Sequence, residues 1–132
     1  MLGTTALYAA ILVAINIYLM FKVGAMRGKT GISLLHGDNM ELATAIRRHA
    51  NFLENVPLAL ILMGIVEING GNTVLLHVLG ALLVLARIAH PLGLHADRPT
   101  HPMRAAGAGI TLLVTIVLGG VALWQAIGAM QG

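Results

Sequence analysis

The hydrophobic positions of this chain fall into four long runs that are separated by short polar stretches. Each run is long enough for an α-helix to cross a hydrocarbon layer of about 30 Å at about 1.5 Å per residue. Strands of a membrane barrel would be only about ten residues long and would alternate in polarity. The pattern therefore predicts an all-α fold, an integral membrane four-helix bundle in one domain spanning residues 1–132. The predicted helices cover about 2–24, 39–68, 73–91 and 104–130.

Short polar sequences mark both ends of the second predicted helix. Asp38 is predicted to cap its start, because Glu41 follows three residues later and can reach back. Residues 69–72, with the sequence Asn-Gly-Gly-Asn, predict a tight turn that makes the second and third helices an antiparallel hairpin. Pro57 lies inside the second helix and is expected to kink it, since the ring removes one intrahelical hydrogen bond.

The composition supports a membrane protein. Of the 132 residues, 58% are hydrophobic and only 10% are charged, whereas a soluble domain carries about 25% charged residues. The N-terminal sequence has no basic segment before its apolar run, so we expect the first run to remain as a transmembrane helix and not to be cleaved. The absence of cysteine excludes disulfides, iron–sulfur clusters and a cysteine nucleophile.

The basic residues lie in the loops after the first and third helices and in the adjoining helix ends, and the loop after the second helix has none. They are Lys22, Arg27, Lys29, Arg47, Arg48, Arg87, Arg98 and Arg104. The positive-inside rule therefore predicts that both basic loops are cytoplasmic and both termini are outside. Because these charges lie at the ends of spans, the net charge of +3 does not indicate nucleic-acid binding.

Three polar side chains enter the second apolar run on one helix face. Arg47, Asn51 and Glu54 are spaced by four and three residues, and Glu54 lies about 10 Å deeper than Arg47. Ionisable groups within a span indicate a functional site by default. One interpretation is a contact between helices in which Arg47 or Arg87 neutralises Glu54. The other is a site for a small charged ligand at the cytoplasmic membrane boundary.

Further polar residues are predicted at the same end of the bundle. Arg87 and His90 close the third helix and Arg104 opens the fourth, so three arginines including Arg47 can converge there. Arginine binds carboxylates bidentately, although single arginines at span ends also extend to the interface without a ligand. The six histidines are scattered and form no HExxH motif, so no metal site is predicted.

Three segments of the chain carry a family resemblance. Residues 47–57, with the sequence RRHANFLENVP, resemble the second-helix signature of the MAPEG family, the membrane-associated proteins of eicosanoid and glutathione metabolism. Residues 86–90 (ARIAH) and 104–107 (RAAG) resemble the third- and fourth-helix signatures. The resemblance covers nearly the whole chain and is to the bacterial type of microsomal glutathione transferase.

This resemblance implies a left-handed bundle assembled as a homotrimer, with glutathione as co-substrate bound between subunits near the cytoplasmic surface. It implies that Arg104 is the catalytic residue that stabilises the thiolate. A basic residue at the end of the first helix also contributes in the family; Arg27 is the best match, and Lys22 competes with it. The residues that the resemblance implies for glutathione binding are Arg27, Arg47, Asn51, Glu54, Arg87 and His90.

Two positions depart from well-known members of the family. Leu94 stands where several eukaryotic members have a tyrosine, so a phenolic contact to the ligand is missing. Ala105 stands where the prostaglandin synthase has a serine after the helix-four arginine. The prostaglandin-isomerase reaction is therefore disfavoured, and activation of the thiol would depend on Arg104 and the local field.

The function expected from these observations is that of a membrane-bound glutathione transferase or peroxidase in a bacterial inner membrane. It would conjugate glutathione to hydrophobic electrophiles or reduce lipid hydroperoxides, with membrane lipid and an apolar small molecule as partners and no nucleic acid. A catalytically silent MAPEG-like binding or scaffold protein is one alternative. A small multidrug exporter is another, but such exporters carry their essential glutamate in the first helix, where this chain offers only Asn16.

Overall fold

The computed structural model describes residues 1–97 and 100–131, and it is built from four helices. All four are long and apolar enough to cross a membrane, which confirms the predicted all-α membrane fold. The helices are α1 (Gly3–Thr30), α2 (Met40–Ile68), α3 (Thr73–Gly93) and α4 (Pro102–Gln131).

Helix α1 continues well past its predicted end at residue 24. It ends at Thr30, where Gly31 adopts a left-handed conformation (φ 69°) and donates its N–H to the carbonyl oxygen of Arg27 at 2.9 Å. Hydropathy falls at Lys22, but the helix continues as far as Gly31, because glycine adopts the left-handed conformation that ends a helix at little energetic cost. The apolar run therefore marks the hydrocarbon boundary and not the end of the helix.

The start of α2 also differs from the prediction by one residue. Asn39, not Asp38, is the N-cap, and its Oδ1 accepts a hydrogen bond from the N–H of Leu42 at 2.8 Å. Both residue types cap well, so the sequence alone does not separate the two positions. The helix is continuous through Pro57 to Ile68.

The turn between α2 and α3 forms as predicted. The N–H of Gly71 bonds to the carbonyl oxygen of Val66 at 2.8 Å, and the Asn72 side chain caps α3 by accepting from the N–H of Leu75 at 2.9 Å. The two helices touch each other less than either one touches α1 or α4, however. Helix α1 packs beside α2 and α3, and α4 packs beside α3 and α2, so that α2 and α3 lie on a diagonal of the bundle. The chain reverses direction here, so α2 and α3 follow one another as the predicted antiparallel pair, but they lie across a diagonal of the bundle.

A glycine allows α3 and α4 to approach closely. Any side chain at Gly107 would collide with the carbonyl oxygen of Ala86 and with His90. Small residues are the usual means of close helix packing in membranes. The surrounding core consists of buried apolar side chains, including Leu12, Met63, Leu83, Val114 and Leu118.

A glutamate at the end of α2 joins this helix to the start of α1. The two carboxylate oxygens of Glu67 accept the backbone N–H groups of Thr4 and Thr5, each at 2.7 Å. The N-cap residue of α1, Leu2, makes no side-chain cap. Glu67 therefore satisfies N–H groups that have no partner within their own helix, at the end where the helix dipole favours an anion.

We expect Gly107→Ala to lower the free energy of unfolding by about 1–3 kcal/mol, the range for overpacking. The new Cβ would lie 2.7 Å from the Ala86 carbonyl oxygen and 2.8 Å from the Cβ of His90. Gly109→Ala is the matched control, because nothing lies within 4 Å of its Cβ position. Thermal unfolding in detergent, followed by circular dichroism, measures both. Equal midpoints for the two variants would contradict this packing.

We expect Glu67→Gln to destabilise the protein by about 1 kcal/mol, because an NH2 group replaces one of the two oxygens that accept the N–H groups and the side chain loses its charge for the helix dipole. The same unfolding assay measures this loss. Asp38→Asn, at an exposed position outside the helices, controls for the loss of one negative charge. Stability lost equally in both variants would argue against the cap.

Candidate functional site

The predicted site residues lie at the end of the bundle that holds the α1–α2 and α3–α4 connections, which we call the basic end. Arg48 fixes the geometry there. Its Nε and Nη2 donate to the carbonyl oxygen of Leu94, at 3.1 and 2.6 Å, and so tie α2 to the end of α3.

Arg47 and Glu54 form an ion pair on the outside of α2. Nη1 of Arg47 lies 3.2 Å from Oε1 of Glu54, and Nη2 lies 3.4 Å from Oε2. The two side chains are 59% and 52% exposed. The pair joins two turns of the same helix and does not connect helices. Arg47, not Arg87, is therefore the arginine that neutralises Glu54.

Arg87 lies on the opposite side of Asn51, inside the bundle. It is 2% exposed, and its Nη1 donates to Oδ1 of Asn51 at 3.1 Å while its Nη2 donates to the carbonyl oxygen of Gly107 at 2.9 Å. One guanidinium thus joins α2, α3 and α4. Because a guanidinium only donates, Asn51 must turn its oxygen toward Arg87. The amide group of Asn51 that remains is a donor.

His90 and Arg104 complete the group at the basic end. His90 is 5% exposed and packs against Gly107 of α4. The charges of Arg87, Arg104 and Arg47 all lie within electrostatic range of its ring. Arg104 is partly buried near the start of α4. Arg47, Arg87 and Arg104 thus share this end of the bundle, with Arg47 on the outside of α2 and Arg87 inside the bundle.

The two basic candidates at the end of α1 have different surroundings. Nη1 of Arg27 donates to the carbonyl oxygens of Ile32 and Leu35, at 3.0 and 3.1 Å, and so closes its own loop. The Lys22 ammonium lies 5.5 Å from the centre of the Tyr18 ring and borders a cleft between α1 and α3. Neither contact joins these residues to the Arg47–Glu54 pair.

A polar pair inside the bundle was not among the predicted site residues. His49 Nε2 lies 3.1 Å from Oδ1 of Asn16 and links α2 to α1. Asn16 interrupts a long apolar run, and a polar group within a span requires a partner. That requirement, with His49 as a partner on the adjacent helix, is the signal that could have identified the pair.

The histidines of the α3–α4 connection lie near each other without forming a metal site in the described part of the chain. The rings of His95 and His101 are 5.8 Å apart between centroids. Within residues 1–97 and 100–131, no three histidine or carboxylate side chains are placed to hold a metal ion. Arg98, a member of the predicted basic patch, lies outside the described residues.

We expect Asn51→Leu to destabilise the protein by about 1.5–3 kcal/mol, the size of a hydrogen bond to a charged group, because Nη1 of buried Arg87 loses its acceptor. Asn51→Asp keeps an acceptor and should be milder. Asn55→Leu removes only a bond to a carbonyl one turn away and serves as the control. Chemical denaturation in detergent, extended to the Asn51→Leu/Arg87→Met double variant, measures the coupling. Additive losses would show that the two side chains are not coupled.

Comparison with known proteins agrees with this architecture. The profile of the MAPEG family matches residues 5–124. The chain is 34% identical over 91 residues to the inner membrane protein YecN of Escherichia coli strain K12, an alignment that covers 69% of this chain and 70% of that protein. YecN from a second Escherichia coli strain aligns with the same identity and coverage. With its four membrane-spanning helices, this chain is an integral membrane protein that belongs to the MAPEG family.

Proposed function

We propose that this protein is a glutathione transferase of the inner membrane that binds glutathione at the basic end and transfers its thiolate to hydrophobic electrophiles. The exposed Arg47–Glu54 pair carries the proposal, because it offers one cation and one anion side by side. Family membership supports the same chemistry, since the family includes microsomal glutathione transferases.

The charges of glutathione complement those of the pair. The tripeptide has two carboxylates and one ammonium, and its α-amino acid group carries both signs on adjacent atoms. When this group enters between Arg47 and Glu54, its carboxylate meets Arg47 and its ammonium meets Glu54. Both protein charges remain paired. An exposed ion pair is worth only about 0–1 kcal/mol, so exchanging it for a ligand has a small cost.

Asn51 and Arg87 have distinct roles in this proposal. Asn51 presents its amide N–H to a carbonyl or carboxylate oxygen of the ligand, since its own oxygen is held by Arg87. Arg87 and His90 are buried in the single chain. Neither side chain contacts the ligand directly in this proposal. Arg87 holds Asn51 in place, and His90 lies among the charges of the three arginines.

Arg104 supplies the charge that favours the thiolate, the reactive form of the thiol. In conjugation the thiol proton passes to water, the sulfur forms a bond to carbon, and a leaving group such as chloride departs with its electron pair. In hydroperoxide reduction the thiolate takes one oxygen and releases an alcohol, and a second glutathione then yields the disulfide and water. A shallow recess of about 440 Å³ lies beside Arg104 and Ala105, where an apolar electrophile can approach.

The location of the pair also supports the proposed assembly and orientation. An ion pair on the outside of a bundle requires water, a ligand or a partner beside it, and we propose that a second subunit of a homotrimer lies there. The basic loops are cytoplasmic by the positive-inside rule. This orientation brings the site to the side of the membrane where glutathione is abundant.

A catalytically silent binding protein is the second candidate, and one observation favours it. Leu94 and Ala105 lack the hydroxyl groups of well-known relatives, and the Leu94 carbonyl is occupied by Arg48. Binding without turnover would identify this function. The exporter is disfavoured because Glu54 is paired with Arg47.

Titration calorimetry of glutathione into the detergent-purified protein tests binding, and turnover of an activated aryl chloride tests catalysis. Arg47→Ala and Glu54→Gln should each weaken binding. Arg104→Ala should keep binding within a few-fold but lower kcat by about 10²-fold, as when one donor to a reacting anion is removed. Lys29→Ala, an exposed basic residue of the same end, should change neither quantity.

Two results would overturn the proposal. If the unaltered protein released no heat with glutathione and caused no turnover, both the site and the reaction would be wrong. If Arg104→Ala kept full activity, the thiolate would be stabilised elsewhere. Binding with no turnover in the unaltered protein would instead establish the silent binding protein.

A further inference from the structure

The cleft that Lys22 borders opens on a different side of the bundle from the Arg47–Glu54 pair. It lies between α1, the start of α2 and the end of α3, and has a volume of about 960 Å³. Neither Arg47 nor Glu54 lines it. Its walls are largely apolar and include Ile15, Leu19, Met26, Ala45, Ile88 and Leu92. A long apolar wall between membrane helices accommodates an acyl chain.

The rim of this cleft carries both signs of charge. Lys22 and Arg48 supply cations, and Glu41 and Asp97 supply carboxylates. Lys22 and Glu41 are exposed. Arg48 uses Nε and Nη2 to hold the Leu94 carbonyl oxygen, which leaves Nη1 outside that bond. A head group that carries a single negative charge would meet repulsion from the carboxylates, whereas a zwitterionic one finds a partner for each charge.

The inner end of the cleft is closed by a buried arginine. The Arg87 side chain is almost completely buried and lines the cleft. Its Nε–H is buried and has no hydrogen-bond partner within the described residues. Arg87 contacts Asn51, which lies three residues, or about 4.5 Å, beyond Arg48 along α2. Because Nε has almost no accessible surface even with the cleft empty, Arg87 forms part of the cleft floor and does not offer this donor to a bound molecule.

We propose that the cleft is a binding site for a phospholipid with a phosphoethanolamine head group. The phosphate binds Lys22 and Arg48, the primary ammonium binds Glu41, and an acyl chain lies along the apolar walls. Basic residues between helices at the cytoplasmic side favour phosphate head groups. The carboxylate beside them selects an ammonium that can donate hydrogen bonds, which a phosphocholine cannot do.

Native mass spectrometry of the intact detergent-purified chain tests the proposal. The protein is mixed with equal amounts of phosphatidylethanolamine, phosphatidylglycerol and phosphatidylcholine that have the same acyl chains, and the retained lipid mass is read. Phosphatidylethanolamine should be retained most. Lys22→Gln should lower the retention of all three by about fivefold, since a cation near a lipid phosphate contributes about 1 kcal/mol.

Variants separate the head-group contacts from the acyl contacts. Glu41→Gln should remove the preference for phosphatidylethanolamine over phosphatidylcholine, and Ala14→Trp should lower the retention of every lipid by filling the wall of the cleft. Lys29→Gln and Ala10→Trp, which are exposed and lie outside the cleft, are the matched controls and should retain lipid normally. Circular dichroism confirms that each variant is folded.

Several results would overturn the proposal. They are equal retention of the three lipids, a preference for phosphatidylglycerol, and retention that Lys22→Gln and Ala14→Trp leave unchanged. A change of oligomeric mass in Ala14→Trp would assign the cleft to a second copy of the chain. This site is independent of glutathione, so its failure leaves the proposed transferase untouched.

Discussion

The bundle depends on the burial of one guanidinium. Arg87 has almost no exposed surface in a helix that spans the membrane, and it reaches an acceptor on each of two other helices. A charge in such a place must find partners within the protein. The Gly107 carbonyl oxygen is reachable because α3 and α4 approach closely at this glycine, and Thr111 bonds to the same oxygen at 2.8 Å. The two hydrogen bonds that Arg87 donates therefore constrain the register of α2 and α4 relative to α3.

The same interaction divides the polar residues of the basic end into two groups. Asn51 faces inward through its oxygen, because Arg87 can only donate. Arg47 and Glu54, four residues before and three residues after Asn51, are left on the outside of α2. The inner group gives a rigid support, and the outer group offers charges that can change partners. Such a division suits a binding site, since the support stays fixed while the exposed ion pair opens.

The sequence predicted the elements of this fold better than their packing. Run lengths defined four helices, and residues 69–72 defined the turn, because both depend on local properties of the chain. The diagonal placement of α2 and α3 was missed, because a nearly all-round apolar helix does not indicate which neighbour it contacts. For the same reason the spacing of Arg47, Asn51 and Glu54 placed them on one face but did not show that Arg87 would approach from behind it.

Single polar residues in apolar runs require partners on other helices, and those partners can be inferred from the sequence. Glu67 lies in the last turn of α2, where the helix dipole disfavours a carboxylate. Its partners must therefore come from elsewhere, and the loop after α2 contains no lysine or arginine. Backbone N–H groups at a helix start are among the donors that remain at that end. Helix α1 begins after Leu2, whose side chain has no oxygen to cap it. The contact between Glu67 and α1 therefore supplies donors to a carboxylate and an acceptor to the uncapped N–H groups of α1.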